Sequence, residues 1–338
     1  MIIAGTAQSG SPPEQVLGYA VAMPRQTAEL ASIQIATTEL HVAAVRLLLA
    51  DEPQSELLAR AAAVLKTVRR NGQQCDQMLV ALRGGALVGS IWGQMTPGRT
   101  AVIWPPRITA DEPDQTADGL LRELELRLQR SGVDLVQAVL KHAGNADSQR
   151  LERFGFVHSV ELLYLLSERV PGPNLPQPGP LTFVSYTTDQ QLRMAQLLEA
   201  TYEGSLDVPQ LNGVREMSDV LDGYEQTGDA DSSRWFFVEH EGSNVGCLLL
   251  ARHAEQGQWE LVYMGLTPPA RGYGWGQVIV EFAQRLTSQS EYRRLVLAVD
   301  AANEPALRIY TRSGFMRCDR RAVFLKIPGH HHLSSRGH

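Results

Sequence analysis

The glycine-rich segment 271–276, in the second half of the chain, is the strongest sign of a chemical function. It follows a strand-like apolar run, 259–266, and precedes an apolar stripe with helical spacing, 278–286. A strand that runs into a glycine-rich turn and then a helix points backbone N–H groups and the positive helix end at one spot. The backbone can approach a ligand closely at Gly272, Gly274 and Gly276. This arrangement predicts binding of a phosphorylated molecule, and it suits a pyrophosphate.

Two other nucleotide-binding loops use the same glycine physics, but this segment fits neither. A Rossmann loop follows the first strand and has an acid about twenty residues later, and a P-loop ends in Gly-Lys-Ser/Thr. Here the loop comes late in its half, and no lysine follows Gly276. The pattern Arg271-x-x-Gly274-x-Gly276 instead resembles the acetyl-CoA loop of the GCN5-related N-acetyltransferases, the GNAT superfamily.

The residues after the loop extend this resemblance. A strand at 295–300, a turn at Asn303 and a helix carrying Tyr310 and ending at Gly314-Phe315 resemble the final motif of the family. The match covers residues 181–327. It implies an acetyl-CoA-dependent N-acetyltransferase, a transferase of the acyltransferase class, acting on a primary amine.

The implied reaction is direct attack of the amine on the thioester of acetyl-CoA. It needs a base for the amine and an acid for the leaving thiolate, whose conjugate acid has a pKa near about 8.5. Tyr310 occupies the position of the family's proton donor, and Glu260 lies where some members place the base. Simple packing beside Phe315 is the alternative for Tyr310, and an ordinary edge carboxylate in water is the alternative for Glu260.

The same resemblance implies three contacts to the cofactor acetyl-CoA. Backbone groups at 264–266 would bind the pantetheine arm, the loop would bind the pyrophosphate, and Asn303 would contact CoA from the opposite side. Asn303 also suits a turn or helix cap, and Arg271 either adds charge near the phosphates or is simply solvated. The predicted cofactor-binding residues are Met264, Gly265, Leu266, Arg271, Gly272, Tyr273, Gly274, Trp275, Gly276 and Asn303.

The acceptor pocket in GNAT proteins is usually lined by the loop between the first two helices, here residues 202–214. From this loop and the neighbouring strand we predict four substrate-binding residues: Tyr202, Glu203, Asp207 and Tyr263. The carboxylates would attract a cationic amine, or else they are two solvated loop residues. Strict strand alternation would place Glu260, Val262 and Met264 on one face and Tyr263 on the other. The acceptor itself, a small-molecule or peptide amine, is not identified by the sequence.

The elements that must position these residues occur twice in the chain. Residues 171–180 contain five prolines and two glycines and read as a semi-rigid linker. On either side the order of strand, helix, strand and Gly-Phe is the same, and the intervals agree at 66 residues from Gly89 to Gly155 and 68 from Gly246 to Gly314. We therefore predict an α/β (α+β) protein of two tandem GNAT folds. Each would be a mixed, mostly antiparallel central sheet flanked by helices, opening with helices.

The predicted domains are 1–170, a degenerate GNAT-like domain whose first 30 or so residues are unassigned; 171–180, the linker; 181–328, the catalytic domain; and 329–338, a flexible His-containing tail. At the loop position the first half has no matching glycines, and Asp111, Glu112 and Asp114 would repel a pyrophosphate. Leu151 stands where the second half has Tyr310. The first half would therefore complete or wall the acceptor site, or serve as structure alone.

Composition limits the remaining classes of function. The chain has 338 residues, 43% of them hydrophobic, and a net charge of -6, which argues against a nucleic-acid partner. The three cysteines form no CxxC pair, so we expect neither a disulfide framework nor a metal site. We expect a cytoplasmic protein without a membrane segment. The oligomeric state is not indicated. The alternative to an enzyme is a non-catalytic acyl-CoA-binding sensor or scaffold protein.

Overall fold

The chain is described by a computed structural model over residues 30–50, 57–70, 75–168, 179–208, 216–229 and 231–328. These residues form two compact units that interleave along the sequence. The amino-terminal unit holds the described residues up to Val139, then Gly144–Val157 and the end from Phe324, whereas the carboxyl-terminal unit holds Leu140–Ala143 and His158–Val323. Most of the predicted linker, 171–178, and the tail at 329–338 lie outside the described residues.

The strands of the amino-terminal unit lie in the order β1-β2-β3-β4-β5. Neighbours are antiparallel except β4 and β5, which are parallel. One face packs on α1 and α2 around Trp92, and α3 covers the other, where Gly93 leaves room for Leu124. The elements are β1 (Ser32–Ile35), α1 (His41–Leu48), α2 (Leu57–Arg70), β2 (Met78–Arg83), β3 (Ala86–Thr96), β4 (Thr100–Ile108), α3 (Asp114–Arg130), β5 (Leu135–Leu140) and α4 (Ala146–Arg153).

The strands of the carboxyl-terminal unit lie in the order β12-β6-β11-β10-β9-β8-β7. Strand β6 comes from the first half of the sequence and pairs antiparallel with β11, from Leu295↔Ser167 to Asp300↔Leu162. The elements are β6 (Val157–Ser167), β7 (Leu181–Ser185), α5 (Gln191–Tyr202), α6 (Met217–Glu225), β8 (Trp235–His240), β9 (Ser243–His253), β10 (Gln258–Leu266), α7 (Trp275–Ser288), β11 (Arg294–Asp300), α8 (Glu304–Arg312) and β12 (Met316–Lys326).

Apolar residues on the two faces of the carboxyl-terminal sheet form separate cores. The α7 core joins that helix and α8 to side chains such as Leu261 and Leu297. The α5/α6 core joins those helices to side chains such as Phe237 and Tyr263. None of the helices in the described residues is long and apolar enough to cross a membrane.

The predicted fold class is confirmed, since each unit is a mixed, mostly antiparallel set of strands with helices on its faces. The expectation that each half opens with helices is wrong, because β1 and β7 precede α1 and α5. Both are four- or five-residue strands with little buried surface. They gain their conformation from pairing with β2 and β8 rather than from a strong local pattern.

Candidate functional site

The site is organised by the divergence of β10 from β11. Their parallel pairing runs from Gln258↔Arg294 to Glu260↔Val296. Beyond that point β10 continues to Leu266 along β9, and β11 continues to Asp300 along β6. The two strands therefore open into a V whose apex is at Glu260, and the edge of β10 that faces β11 is not paired with it past this residue.

A β-bulge in β10 changes which side chains face the cleft. The register with β9 shifts between Leu261 and Tyr263, and these two residues pack into the α7 core and the α5/α6 core respectively. The expectation of strict alternation is therefore wrong, because a bulge adds one residue to a strand. Trp259 and Leu261 both lie in the α7 core, so Glu260 between them faces the other side, the side of Tyr263.

Glu260 is a partly buried carboxylate with a histidine partner. His253 Nε2 donates a hydrogen bond to Glu260 Oε2 over 2.7 Å, and the Glu260 side chain is 13% exposed. Strand β10 has neighbours on both sides. The geometry thus differs from an edge carboxylate in water, and His253, which the sequence did not single out, holds the carboxylate in place.

Tyr310 lies on α8 and is buried. Its ring packs against Phe315 at 5.5 Å between centroids, as the packing alternative predicts. Burial raises the pKa of the Tyr310 phenol well above its usual value, and the negative charge of Asp207 raises it further. The hydroxyl is therefore protonated at neutral pH, which is the state that a proton donor needs.

Three tyrosines and a threonine form a hydrogen-bonded cluster under the cleft. Tyr202 and Tyr224 share a hydrogen bond of 2.6 Å between their hydroxyls, and Tyr263 shares one of 2.9 Å with Thr201 Oγ1. The Tyr202 and Tyr263 rings meet edge to face at 5.3 Å. The structure thus brings predicted residues Tyr202 and Tyr263 together. Tyr224 was missed, and its only sequence signal is its place on the buried stripe of α6.

Asp207 approaches this cluster from the α5–α6 loop. The Asp300 backbone donates a hydrogen bond to it. Burial raises the pKa values of Tyr224, Tyr263 and Tyr310, and the charge of Asp207 adds to the effect. Asp207 is an exposed residue, and partial loss of hydration raises its own pKa. Glu203 does not join the cluster: it is an exposed residue at the end of α5.

Arg271 fastens the glycine loop to the end of α5. Its guanidinium donates to the carbonyls of Thr201 (3.0 Å), Glu203 (2.7 Å) and Gly204 (3.2 Å), and its Nε to Leu266 (3.1 Å). A cation is favourable at a helix carboxyl end, where carbonyls lack partners. The structure thus shows Arg271 as a helix cap rather than a simply solvated side chain, and its contact with phosphate stays a prediction.

The glycine loop has the backbone that phosphate binding requires at two of its three glycines. Gly272 and Gly274 have φ of +89° and +77°, and a Cβ built on either one meets no atom within 4 Å. Gly274 immediately precedes α7, so the loop leads directly into the amino-terminal end of that helix, where backbone N–H groups suit an anion. Gly276 differs, because its Cβ would lie 2.8 Å from Ile309 Cδ1; this glycine serves the packing of α7 on α8.

The remaining predicted cofactor residues are placed around this loop. Tyr273 is exposed and stacks on Trp275 at 4.9 Å. Asn303 caps α8, accepting a hydrogen bond from Ala306 N at 3.3 Å, so the capping role is the one that the structure shows. Met264, Gly265 and Leu266 lie on the part of β10 past the V apex.

At the corresponding position in the amino-terminal unit, acidic side chains are paired with arginines. Arg83 pairs with Glu112, whose pKa this hydrogen bond lowers, and Arg150 pairs with Asp114. Leu151, at the position matching Tyr310, is fully buried. Within the described residues, no group of three or more His, Cys, Asp and Glu side chains is arranged to hold a metal.

Comparison with protein families gives a match between residues 194–315 and the acetyltransferase (GNAT) family. A mycothiol acetyltransferase of Streptomyces coelicolor is 25% identical over 246 residues, which are 71% of this chain and 76% of that protein. The mycothiol acetyltransferase of Streptomyces avermitilis is 31% identical over 85 residues, 25% of this chain and only 28% of its own length.

Solved structures share the fold across both units. A GCN5-related N-acetyltransferase from Sphaerobacter thermophilus has a TM-score of 0.62 at 17% identity, covering 88% of this chain and 95% of that one. A tandem GNAT protein from the clavulanic acid biosynthesis pathway has a TM-score of 0.51 at 12% identity, covering 89% and 99%. At these identities the similarity shows the fold alone.

Proposed function

The chain belongs to the GNAT superfamily and carries two GNAT-like folds, and from this premise we propose that its carboxyl-terminal unit transfers an acetyl group from acetyl-CoA to a primary amine. The family match and the acetyltransferase relatives support N-acetyltransferase activity. The named relatives favour a small-molecule amine as the acceptor.

The observation that carries the proposal is the opening between β10 and β11, which has Glu260 at its apex and leaves the edge of β10 toward β11 unpaired. Glu260 lies at the apex of the V between β10 and β11, and Tyr310 lies on α8, which follows the end of β11 at Asp300. The glycine loop and the start of α7 lie at the other end of β10. A thioester held along β10 would thus have a carboxylate near its acyl end and a phenol near its sulfur.

Acetyl-CoA, when bound, supplies the activated acyl group as its thioester. Glu260 would accept a proton from the attacking amine, with His253 holding the carboxylate in position. Tyr310, protonated because burial raises its pKa, would donate a proton to the departing thiolate. Asp207 and the tyrosine cluster would favour a cationic amine and exclude water from the cleft.

Calorimetric titration of the full chain with acetyl-CoA tests the proposal. We expect one molecule bound per chain, because acidic side chains at the amino-terminal counterpart are paired with arginines. Two equal sites, or no binding, would contradict it. Binding without acetylation of any amine in a broad panel would favour a non-catalytic sensor or scaffold.

The variant Tyr310→Phe tests the proton donor. It should lower kcat by about 10²- to 10⁴-fold, the usual contribution of general acid catalysis. The affinity for acetyl-CoA should change by no more than about tenfold, since a lone neutral hydrogen bond is the most that binding loses. Tyr292→Phe is the matched control, because Tyr292 packs against the α7 core. Equal kcat in the two variants would remove Tyr310 from the mechanism.

A further inference from the structure

Strand β6 brings a tyrosine from the first half of the sequence into the carboxyl-terminal unit. Tyr164 lies opposite Ala298 of β11 and is only 8% exposed. Its hydroxyl is buried and has no hydrogen-bond partner among the described residues. A buried hydroxyl without a partner is unfavourable and rare in folded proteins. Such a group indicates that a partner is supplied from outside the described residues.

Tyr164 and Glu260 lie on the same face of the sheet. Leu163 and Leu165 pack into the α7 core, so Tyr164 between them points to the opposite face. Glu260 faces that side too, since both its neighbours lie in the same core. Strand β11 separates the two residues, and its Ala298 and Val296 are their partners in register. Tyr164 therefore lies across β11 from the space beyond the V apex, on the same face of the sheet as the Glu260 carboxylate.

The charged side chains near Tyr164 are paired with one another. Arg321 on β12 pairs with Asp319 at 2.6 Å, and Cys318 Sγ donates to the Tyr164 carbonyl at 3.3 Å, which places β12 beside β6 at Tyr164. Burial raises the pKa of Tyr164, with Glu260 and Asp319 adding to the effect and Arg321 opposing it. The phenol is therefore protonated at neutral pH and is a hydrogen-bond donor to an oxygen atom.

We propose that Tyr164 is a specificity-determining residue of the acceptor site, and that its hydroxyl donates a hydrogen bond to a neutral oxygen, such as a hydroxyl group, of an acceptor whose amine lies at Glu260. The inference rests on the proposed function. It assigns to the first half of the sequence a direct contact with the acceptor. Because Glu260 and Asp319 are acidic and Arg321 is paired, an acceptor bearing a carboxylate in place of the hydroxyl is disfavoured.

The test compares 2-aminoethanol, ethylamine and glycine as acceptors with the full-length protein, following release of the CoA thiol. For the wild-type protein, kcat/KM should be about 3- to 10-fold higher for 2-aminoethanol than for ethylamine, the range that one neutral hydrogen bond supplies. Glycine should be the poorest acceptor. In Tyr164→Phe the ratio of 2-aminoethanol to ethylamine should fall to about one, with the acetyl-CoA affinity within about twofold of wild type.

The outcomes separate the inference from the function on which it rests. A preference for 2-aminoethanol that persists in Tyr164→Phe, or its absence in the wild-type protein, overturns the role of Tyr164 and leaves the proposed function standing. Turnover of no amine by the wild-type protein contradicts the function, and the inference with it. Tyr292→Phe should keep the wild-type preference, and an unchanged melting temperature of Tyr164→Phe would show that the variant folds.

Discussion

Gly276 offers a test that separates packing from phosphate binding within the glycine loop. A Cβ at this position would lie 2.8 Å from Ile309 Cδ1, whereas carbon atoms pack best at about 3.5–4.0 Å. Overpacking of this kind costs about 1–3 kcal/mol, and replacing a helical glycine with alanine returns about 0.5–1 kcal/mol. We therefore expect Gly276→Ala to lower the free energy of unfolding by up to about 2 kcal/mol.

The variant Ile309→Val removes the methyl group that the new Cβ would meet. Alone it should cost about 0.5–1.5 kcal/mol. In that background Gly276→Ala no longer meets Cδ1 and should raise stability by up to about 1 kcal/mol. The two substitutions should therefore be coupled by about 1–3 kcal/mol, above the roughly 0.5 kcal/mol within which independent sites add. Urea unfolding of the four proteins, followed by tryptophan fluorescence, measures this coupling.

Two results would refute the reasoning. Additive effects within about 0.5 kcal/mol would show that the contact with Ile309 does not limit residue 276. Acetyl-CoA affinity that falls more than tenfold in the double variant, despite restored stability, would show that Gly276 serves the phosphates after all. We expect instead that the double variant binds acetyl-CoA as Ile309→Val does, because the open backbone lies at Gly272 and Gly274.

Two further predictions concern the groups around the cleft. Arg271→Lys should lower the free energy of unfolding by about 1–3 kcal/mol, because lysine cannot reproduce the forked donors to Thr201, Glu203 and Gly204. Melting temperature and acetyl-CoA affinity are measured together. A loss of affinity larger than the loss of stability accounts for would indicate that Arg271 contacts the phosphates. The folded-state pKa of Asp207 is raised, so the folded protein holds that proton more tightly than the unfolded chain, and stability falls as pH rises past about 3.9. Asp207→Asn should therefore be at least as stable as wild type at pH 7, with the difference fading below about pH 4; thermal melts at both pH values check the sign, and a destabilised variant at pH 7 contradicts it.

The elements carrying strong local patterns were predictable from the sequence. The strand predicted at 295–300 is β11, which begins one residue earlier, and the helix after the glycine loop is α7. Tyr202 and Tyr263 do meet, and Glu260 is the last residue of β10 that pairs with β11. These positions depend on short-range order, namely strand, turn and helix, which periodicity and glycine placement record directly.

The features that sequence reasoning missed all depend on contacts between distant segments. Arg271 binds carbonyls about 67–70 positions away, and no local pattern marks such a partner. The bulge before Tyr263 reverses a side chain without any proline or extra glycine at that point. His253 meets Glu260 only because β9 and β10 pair in this register.

In the amino-terminal unit, the turn that matches the glycine loop differs from it in more than its missing glycines. In the carboxyl-terminal unit, the turn before α7 has open space at two glycines of positive φ. The matching turn before α3 ends in Pro113, which lacks an N–H to donate. Its acids are also fastened by arginines, Glu112 by Arg83 and Asp114 by Arg150. Removing an acid there would leave an arginine without its partner rather than create a phosphate site, since the turn has no glycine to open its backbone to a ligand. The first half of the sequence therefore serves the proposed site through β6, which pairs with β11 and carries Tyr164.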